Sequence, residues 1–105
     1  MTSESYLLLP EANDDLVETA SYLIEHASDS VASRFIRAVF STATLLAGMS
    51  GMGKLCNFKN PAFRGIHRFP VKGFRHWIVF YRSYSQGVEV VRVLSSRRDW
   101  ARLFD

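Results

Sequence analysis

Hydrophobic and polar positions along this chain change their period twice, and each change marks a different kind of element. Residues 5–9 (SYLLL) are a short apolar run closed by Pro10. Proline cannot donate to a sheet ladder but is tolerated in a first helical turn, so a short strand leading into a helix is predicted. Over residues 11–27, Ala12, Leu16, Ala20, Leu23 and Ala27 recur at helical spacing, and Val17 and Ile24 widen the stripe. Glu11, Asp14, Asp15 and Glu18 crowd the first turns of this segment, where the helix dipole favours negative charge. Ser28, Asp29 and Ser30 then offer N-cap oxygens, and the stripe restarts with Val31, Phe35, Val39, Thr42 and Leu46, broadened by Ile36, Phe40 and Ala43. Helices joined this tightly run antiparallel. Gly48 is the expected C-cap of the second helix, and a Gly-rich, then Asn- and Pro-containing segment crosses from it to the rest of the chain.

Beyond that crossing the period falls to two. Strands are predicted over residues 65–70, 74–82 and 88–95, with turns at Lys72-Gly73 and Ser85-Gln86-Gly87 too short for anything but antiparallel neighbours. In the middle strand Phe74, His76, Ile78 and Phe80 alternate with Arg75, Trp77, Val79 and Tyr81, so both faces are largely apolar. One face packs on the helical hairpin. The other, carrying aromatic residues and arginines (Arg75, Trp77, Val79, Tyr81), is expected to be partly solvated or covered by a partner. The tail RRDWARLFD fits either a helical turn or a segment lying across the sheet. The predicted class is α+β: a short N-terminal strand, then an antiparallel two-helix hairpin on one face of a small, mainly antiparallel sheet, in the order β-α-α-β-β-β.

Length and composition agree with this layout. The 105 residues suit a single domain spanning 1–105, and 48% hydrophobic residues are enough to form one core. Cys56 is the only cysteine, which excludes an intramolecular disulfide and a thiolate metal cage and suits a reducing cytoplasm. No signal-peptide pattern and no membrane-length apolar run is present, so a cytoplasmic protein with no membrane partner is expected. Charge is the feature that changes the picture. Residues 1–53 hold two Lys or Arg against seven Asp or Glu, whereas residues 54–105 hold eleven against three. The sheet half therefore carries a positive field aimed at a polyanion or an acidic protein surface.

Candidate chemistry is sparse. Gly48-Met49-Ser50-Gly51-Met52-Gly53-Lys54 matches the G-x-x-x-x-G-K part of a phosphate-binding loop, but it follows a helix, leads to a strand and has Leu55 where a magnesium-binding Ser or Thr belongs. A connecting loop is the better reading. His26, His67 and His76 show no helical metal spacing; His26 suits a helix end, while a turn centred on Val71-Lys72 would set His67 opposite His76 as a two-ligand or acid/base pair. No nucleophile elbow, metal site or cofactor motif is found. Arg34 and Arg37 suit a solvated helix face, but Arg64, Arg68, Arg75, Arg82, Arg92, Arg97 and Arg98 all belong to the sheet or its exit. Arginine forks bind carboxylate or phosphate at two points and stack on aromatic rings, so this interleaving with Phe, Trp and Tyr suits a protein interface or RNA.

The order and spacing of several short stretches resemble the ParE/RelE superfamily of bacterial type II toxins over essentially the whole chain. These are Tyr6-Leu7-Leu8 before Pro10 and Ala12, Asp15-Leu16 through Tyr22, Ala32 and Phe35, Gly51-Met52-Gly53-Lys54, and Arg68-Phe69-Pro70-Val71. Phe80-Tyr81-Arg82, Gly87 through Leu94 and Arg97-Arg98-Asp99 complete the match. The resemblance implies a helical hairpin on a small antiparallel sheet, and one of two activities: inhibition of DNA gyrase by protein contact, or mRNA cleavage in the ribosomal A site. Cleavage at a 2′-hydroxyl requires a base and an acid. The RNA-cutting branch tends to place Tyr or His shortly after its last strand, where this chain has Trp100-Ala101-Arg102-Leu103-Phe104. The stretch GVEVVRVLSSRRD is closer to the ParE pattern, departing from it with Ser95-Ser96 where His-Gly is common.

A ParE-like, non-enzymatic gyrase inhibitor is the implied function, with a ribosome-dependent endoribonuclease as the alternative and a toxin that has lost its toxicity as a third possibility. Residues expected to meet the target are Arg64, Arg68, Arg97, Arg98, Trp100, Arg102 and Phe104. A ParD-like antitoxin is expected to cover the helical hairpin and the sheet at Phe40, Arg75, Trp77, Val79 and Tyr81, forming a hetero-oligomer. No catalytic residue, cofactor or sequence-specific nucleic-acid contact is expected.

Overall fold

Pro10 occupies the first position of a helix and Ser28 caps the next, accepting a hydrogen bond from the Val31 amide at 3.1 Å. In the computed structural model, which describes residues 5–104, the elements are β1 (Ser5–Leu8), α1 (Pro10–His26), α2 (Asp29–Gly48), β2 (Lys54–Leu55), β3 (His67–Val71), β4 (Phe74–Tyr84), β5 (Gly87–Ser95) and α3 (Trp100–Phe104). Short 3-10 turns lie at Ser50–Met52 and Pro61–Phe63. The α+β layout is as predicted. No described helix is long and apolar enough to cross a membrane.

The sheet is mixed and five-stranded, in the order β1-β5-β4-β3-β2. β1 runs parallel to β5, with Ser5 opposite Gly87 and Leu8 opposite Val90, and the other neighbours are antiparallel. Gly87 makes the parallel pairing possible. Its φ is +142° and a Cβ there would collide with the Ser5 carbonyl, so only glycine admits β1 this closely. β2 pairs just Lys54 with Arg68 and Leu55 with His67, a strand too short for periodicity to reveal. Gly48, the expected cap, remains in α2, and Met49 closes the helix through its amide to the Leu45 and Leu46 carbonyls.

Two cores form, one on each face of the sheet. Toward the hairpin, Leu16, Leu23, Phe35, Val39, Ala43 and Leu46 pack on Val71, Val79, Tyr81, Val88, Val90 and Val93. Val90 and Val93 share this face despite odd spacing because the β4–β5 register shifts between Phe80 and Tyr81. Toward the opposite face, Ile66, Ile78, Phe80, Val91 and Leu94 lie beneath Cys56, Phe58, Phe63, Trp100 and Phe104. The crossing segment and the tail thus cover the second face from within the chain.

This reverses the expected assignment of faces. Val79 and Tyr81 are fully buried against the helices instead of being open to a partner. The Tyr81 hydroxyl finds polar partners inside: it donates to the Ser50 carbonyl at 2.8 Å and accepts from the Gly53 amide at 2.8 Å, tying the crossing segment to the sheet. A Cβ on Gly53 would stand 2.7 Å from the Arg68 carbonyl, so this contact too depends on glycine. Tyr81→Phe removes both bonds and is expected to lower the unfolding free energy by about 1–2 kcal/mol. A shifted urea midpoint with unchanged m-value checks this, and an unshifted midpoint contradicts it.

The turn between β3 and β4 falls at Lys72-Gly73, as predicted, and not at the Val71-Lys72 centre that would pair the histidines. His67 stands opposite Tyr81, and the β3–β4 register breaks between Pro70 and Val71, so His67 and His76 do not face each other. The hairpin turn lies one residue later than a symmetric pairing requires. Among the described residues no group of three His, Cys, Asp or Glu forms a metal-binding cluster.

Candidate functional site

Asp15 projects from α1 onto β5 near that strand's exit. Its carboxylate accepts from Arg92 Nε at 2.8 Å and from the second guanidinium nitrogen at 2.9 Å, and also from the Val93 amide at 2.9 Å. The Asp15 side chain is 9% exposed and that of Arg92 22%, so this two-point pair is held mostly away from water. Its hydrogen bond to Asp15 holds the Arg92 guanidinium protonated, raising its pKa further against the opposing effect of burial. Sequence position alone had suggested a dipole-facing acid here. The available signal was the buried spacing: Asp15 lies between Ala12 and Leu16 on the apolar stripe, where an unpaired charge would be costly.

Immediately beyond the pair, the two serines that depart from the ParE pattern shape the turn. The Ser96 amide donates to the His76 carbonyl at 2.6 Å, the Arg97 amide to Ser95 Oγ at 3.2 Å and the Arg98 amide to the Ser95 carbonyl at 3.1 Å. Trp100 Nε1 donates to the same carbonyl at 3.3 Å. Arg97 and Arg98 are therefore presented at the surface from a bonded turn. Neither side chain has a partner among the described residues.

The tail then takes both forms considered for it: α3 is a helical turn and it lies across the sheet. Phe104 stacks on Phe58 at 4.3 Å and meets Phe63 edge-on at 5.1 Å, while Trp100 meets Phe80 at 5.2 Å. The Arg68 guanidinium sits 5.3 Å from the Trp100 ring centroid. Beneath it, burial pushes the Cys56 thiol pKa up, with Arg68 opposing, which keeps the thiol neutral.

The predicted target-binding residues consequently separate. Arg97, Arg98, Arg102 and Arg64 are exposed, and Arg68 and Trp100 are half-buried against each other. Phe104 is 1% exposed and belongs to the second core, so it anchors the tail and offers no surface to a partner, contrary to expectation. Of the predicted antitoxin residues, Arg75 is exposed, Phe40 is open on α2 and stacked with Tyr6, and Trp77 is half-buried edge-on to Phe35. Val79 and Tyr81 are excluded by burial. Two sheet cations are already engaged internally, Arg92 with Asp15 and Arg82 with Glu89 and the Ala62 carbonyl.

Between α1, the start of β4 and the exit of β5 runs a cleft of about 380 Å³. Glu18, Thr19 and Tyr22 form one wall, and His76, Trp77, Arg97 and Arg98 the other. Sequence reasoning did not find it, because its walls lie more than 50 residues apart along the chain and are brought together by the packing of α1 on β5 and by the Asp15–Arg92 pair.

The family model described as ParE toxin of type II toxin-antitoxin system, parDE, matches residues 6–100. No curated protein sequence matches significantly. Among solved structures, the chromosomal ParDE TA system from P. aeruginosa is similar in fold, with a TM-score of 0.70 at 12% identity, covering 89% of this chain and 96% of that one.

Proposed function

Because the chain belongs to the ParE toxin family of type II toxin–antitoxin systems, we propose that it inhibits DNA gyrase by protein contact and is neutralised by a ParD-like antitoxin. The observation that carries this reading is the strand exit: Arg97 and Arg98 stand open on a bonded turn, while the tail behind them ends in Trp100 and Phe104. Neither indole nor phenyl transfers a proton at neutral pH, and these rings fill the region where the resemblance to RNA-cutting relatives implies a Tyr or His. The tail supplies cations without a base. That combination suits charged anchoring on an acidic, DNA-handling protein better than strand cleavage.

The antitoxin reading rests on a different surface. Val17, Tyr22 and Ile24 on α1, and Phe40 and Leu45 on α2, are more than a third exposed, a concentration of apolar area that a partner segment covers. Such a segment, disordered when free, orders on the hairpin.

Induced expression in a bacterial host tests the target. Plasmid negative supercoiling is expected to fall while amino-acid incorporation continues, and co-expression of the adjacent antitoxin frame restores both supercoiling and growth. Immediate loss of protein synthesis with supercoiling intact contradicts gyrase as the target.

A further inference from the structure

Ser95, the last residue of β5, gathers the hydrogen bonds of the strand exit onto itself. Its hydroxyl oxygen accepts from the Arg97 amide at 3.2 Å, and its carbonyl oxygen accepts from the Arg98 amide at 3.1 Å and from Trp100 Nε1 at 3.3 Å. The first bond closes a three-residue turn through the side chain and the second a four-residue turn through the backbone, and together they fix the dihedrals of Ser96 and Arg97. β4 holds the turn from the other side, since the Ser96 amide donates to the His76 carbonyl at 2.6 Å. Trp100 is held in its turn by Phe80, which it meets edge-on, and by the Arg68 guanidinium over its ring. The indole N–H is therefore used inside the chain, and the cations left open at the exit are Arg97 and Arg98.

We propose that Ser95 is a positioning residue: it sets the directions in which Arg97 and Arg98 leave the sheet, and it acts on the toxin's target through them. The inference rests on the toxin reading above, in which these arginines meet the target, and adds the residue that prepares them. A guanidinium grips a carboxylate through two parallel bonds over a narrow range of approach, so two forks on adjacent residues need their side-chain directions fixed relative to each other. Neither arginine has a side-chain partner among the described residues, so this order comes from the backbone turn. Order already present in the free toxin is not lost again on binding. Freeing the backbone of one residue costs roughly tenfold in affinity. Alanine at position 95 removes the hydroxyl acceptor but keeps the carbonyl, so it loosens Arg97 and leaves Arg98 tied. Threonine keeps the hydroxyl and suits the end of a strand.

The test compares full-length Ser95→Ala, Ser95→Thr and Trp100→Phe with the unsubstituted toxin, by growth arrest at matched expression and by inhibition of purified gyrase. Ser95→Ala is expected to raise the toxin concentration for half-inhibition about fivefold. Trp100→Phe, which keeps a ring and withdraws the N–H, is expected to raise it about two- to threefold. Ser95→Thr stays within about twofold of the unsubstituted toxin, and the thermal midpoints of all three lie within about 4 °C of it. In an Arg97→Gln background Ser95→Ala is expected to add less than about twofold, because the side chain it positions has gone, whereas a purely structural role adds its full effect there. Full potency of Ser95→Ala, a loss that threonine fails to restore, or the same fivefold loss with and without Arg97 overturns the inference and leaves the toxin reading standing. A toxin that arrests growth without inhibiting gyrase overturns the gyrase reading alone, and growth arrest then decides on Ser95. An unsubstituted chain that does neither overturns both.

Discussion

Replacing Asp15 by alanine is expected to lower the unfolding free energy by about 3 kcal/mol, near the lower end of the range for breaking a buried ion pair. The substitution strands the Arg92 guanidinium, whose side chain is 22% exposed, and leaves the Val93 amide without its acceptor. Partial access of Arg92 to water places the cost near the bottom of that range. For a chain of this size the thermal midpoint falls by on the order of 12 °C or more. Asp15→Leu combined with Arg92→Met removes both charges and is expected to recover part of the loss, since a well-packed apolar pair escapes the desolvation penalty. A midpoint within about 2 °C of the unsubstituted protein contradicts the pair's role in tying α1 to β5.

Charge reversal at the strand exit produces the opposite profile, with a large functional effect and little change in folding. Arg97→Glu with Arg98→Glu should abolish growth arrest, restoring colony counts on induction to those of an empty vector, while the thermal midpoint stays where it was. Both side chains are exposed and bonded to nothing through their guanidinium groups, and the turn that carries them is held by backbone amides and Ser95, which the substitutions leave in place. Surface changes of this kind shift stability by about 0.5 kcal/mol or less. Binding is affected twice. Each charge-assisted hydrogen bond is worth about 1.5–3 kcal/mol, and reversed charge also slows association with an acidic surface. Retained toxicity would move the site to Arg64, Arg75 or Arg102, the other exposed arginines of the sheet half.

How far the sequence carried can be followed through particular residues. The hairpin was legible because Leu16, Leu23, Phe35, Val39 and Leu46 repeat at helical spacing and Ser28 caps the second helix, all local signals. β3, β4 and β5 were legible from short turns, although β4 continues to Tyr84. The faces of β4 were not, because Ile78 and Phe80 are as apolar as Val79 and Tyr81, and only the position of distant chain decides which set meets the helices. The same applies to β1 beside β5, a parallel pairing between segments some 80 residues apart that shows locally only as a glycine at position 87. Asp15 was named for its place near a helix N-terminus, a correct position with the wrong partner. The exposure of Arg97 and Arg98 was legible because they are charged and follow the last strand, whereas Phe104 was misplaced because an aromatic residue in the tail reads equally as anchor or contact. The cleft required the folded chain.

Purified gyrase supplied with relaxed plasmid gives the most direct measurement of the central claim, run beside translating ribosomes whose mRNA is mapped for cuts. The account predicts that the free toxin blocks supercoiling, that added antitoxin relieves the block, that Arg97→Glu with Arg98→Glu loses it, and that the mRNA stays whole. Unimpaired supercoiling together with cleavage in the ribosomal A site would contradict it.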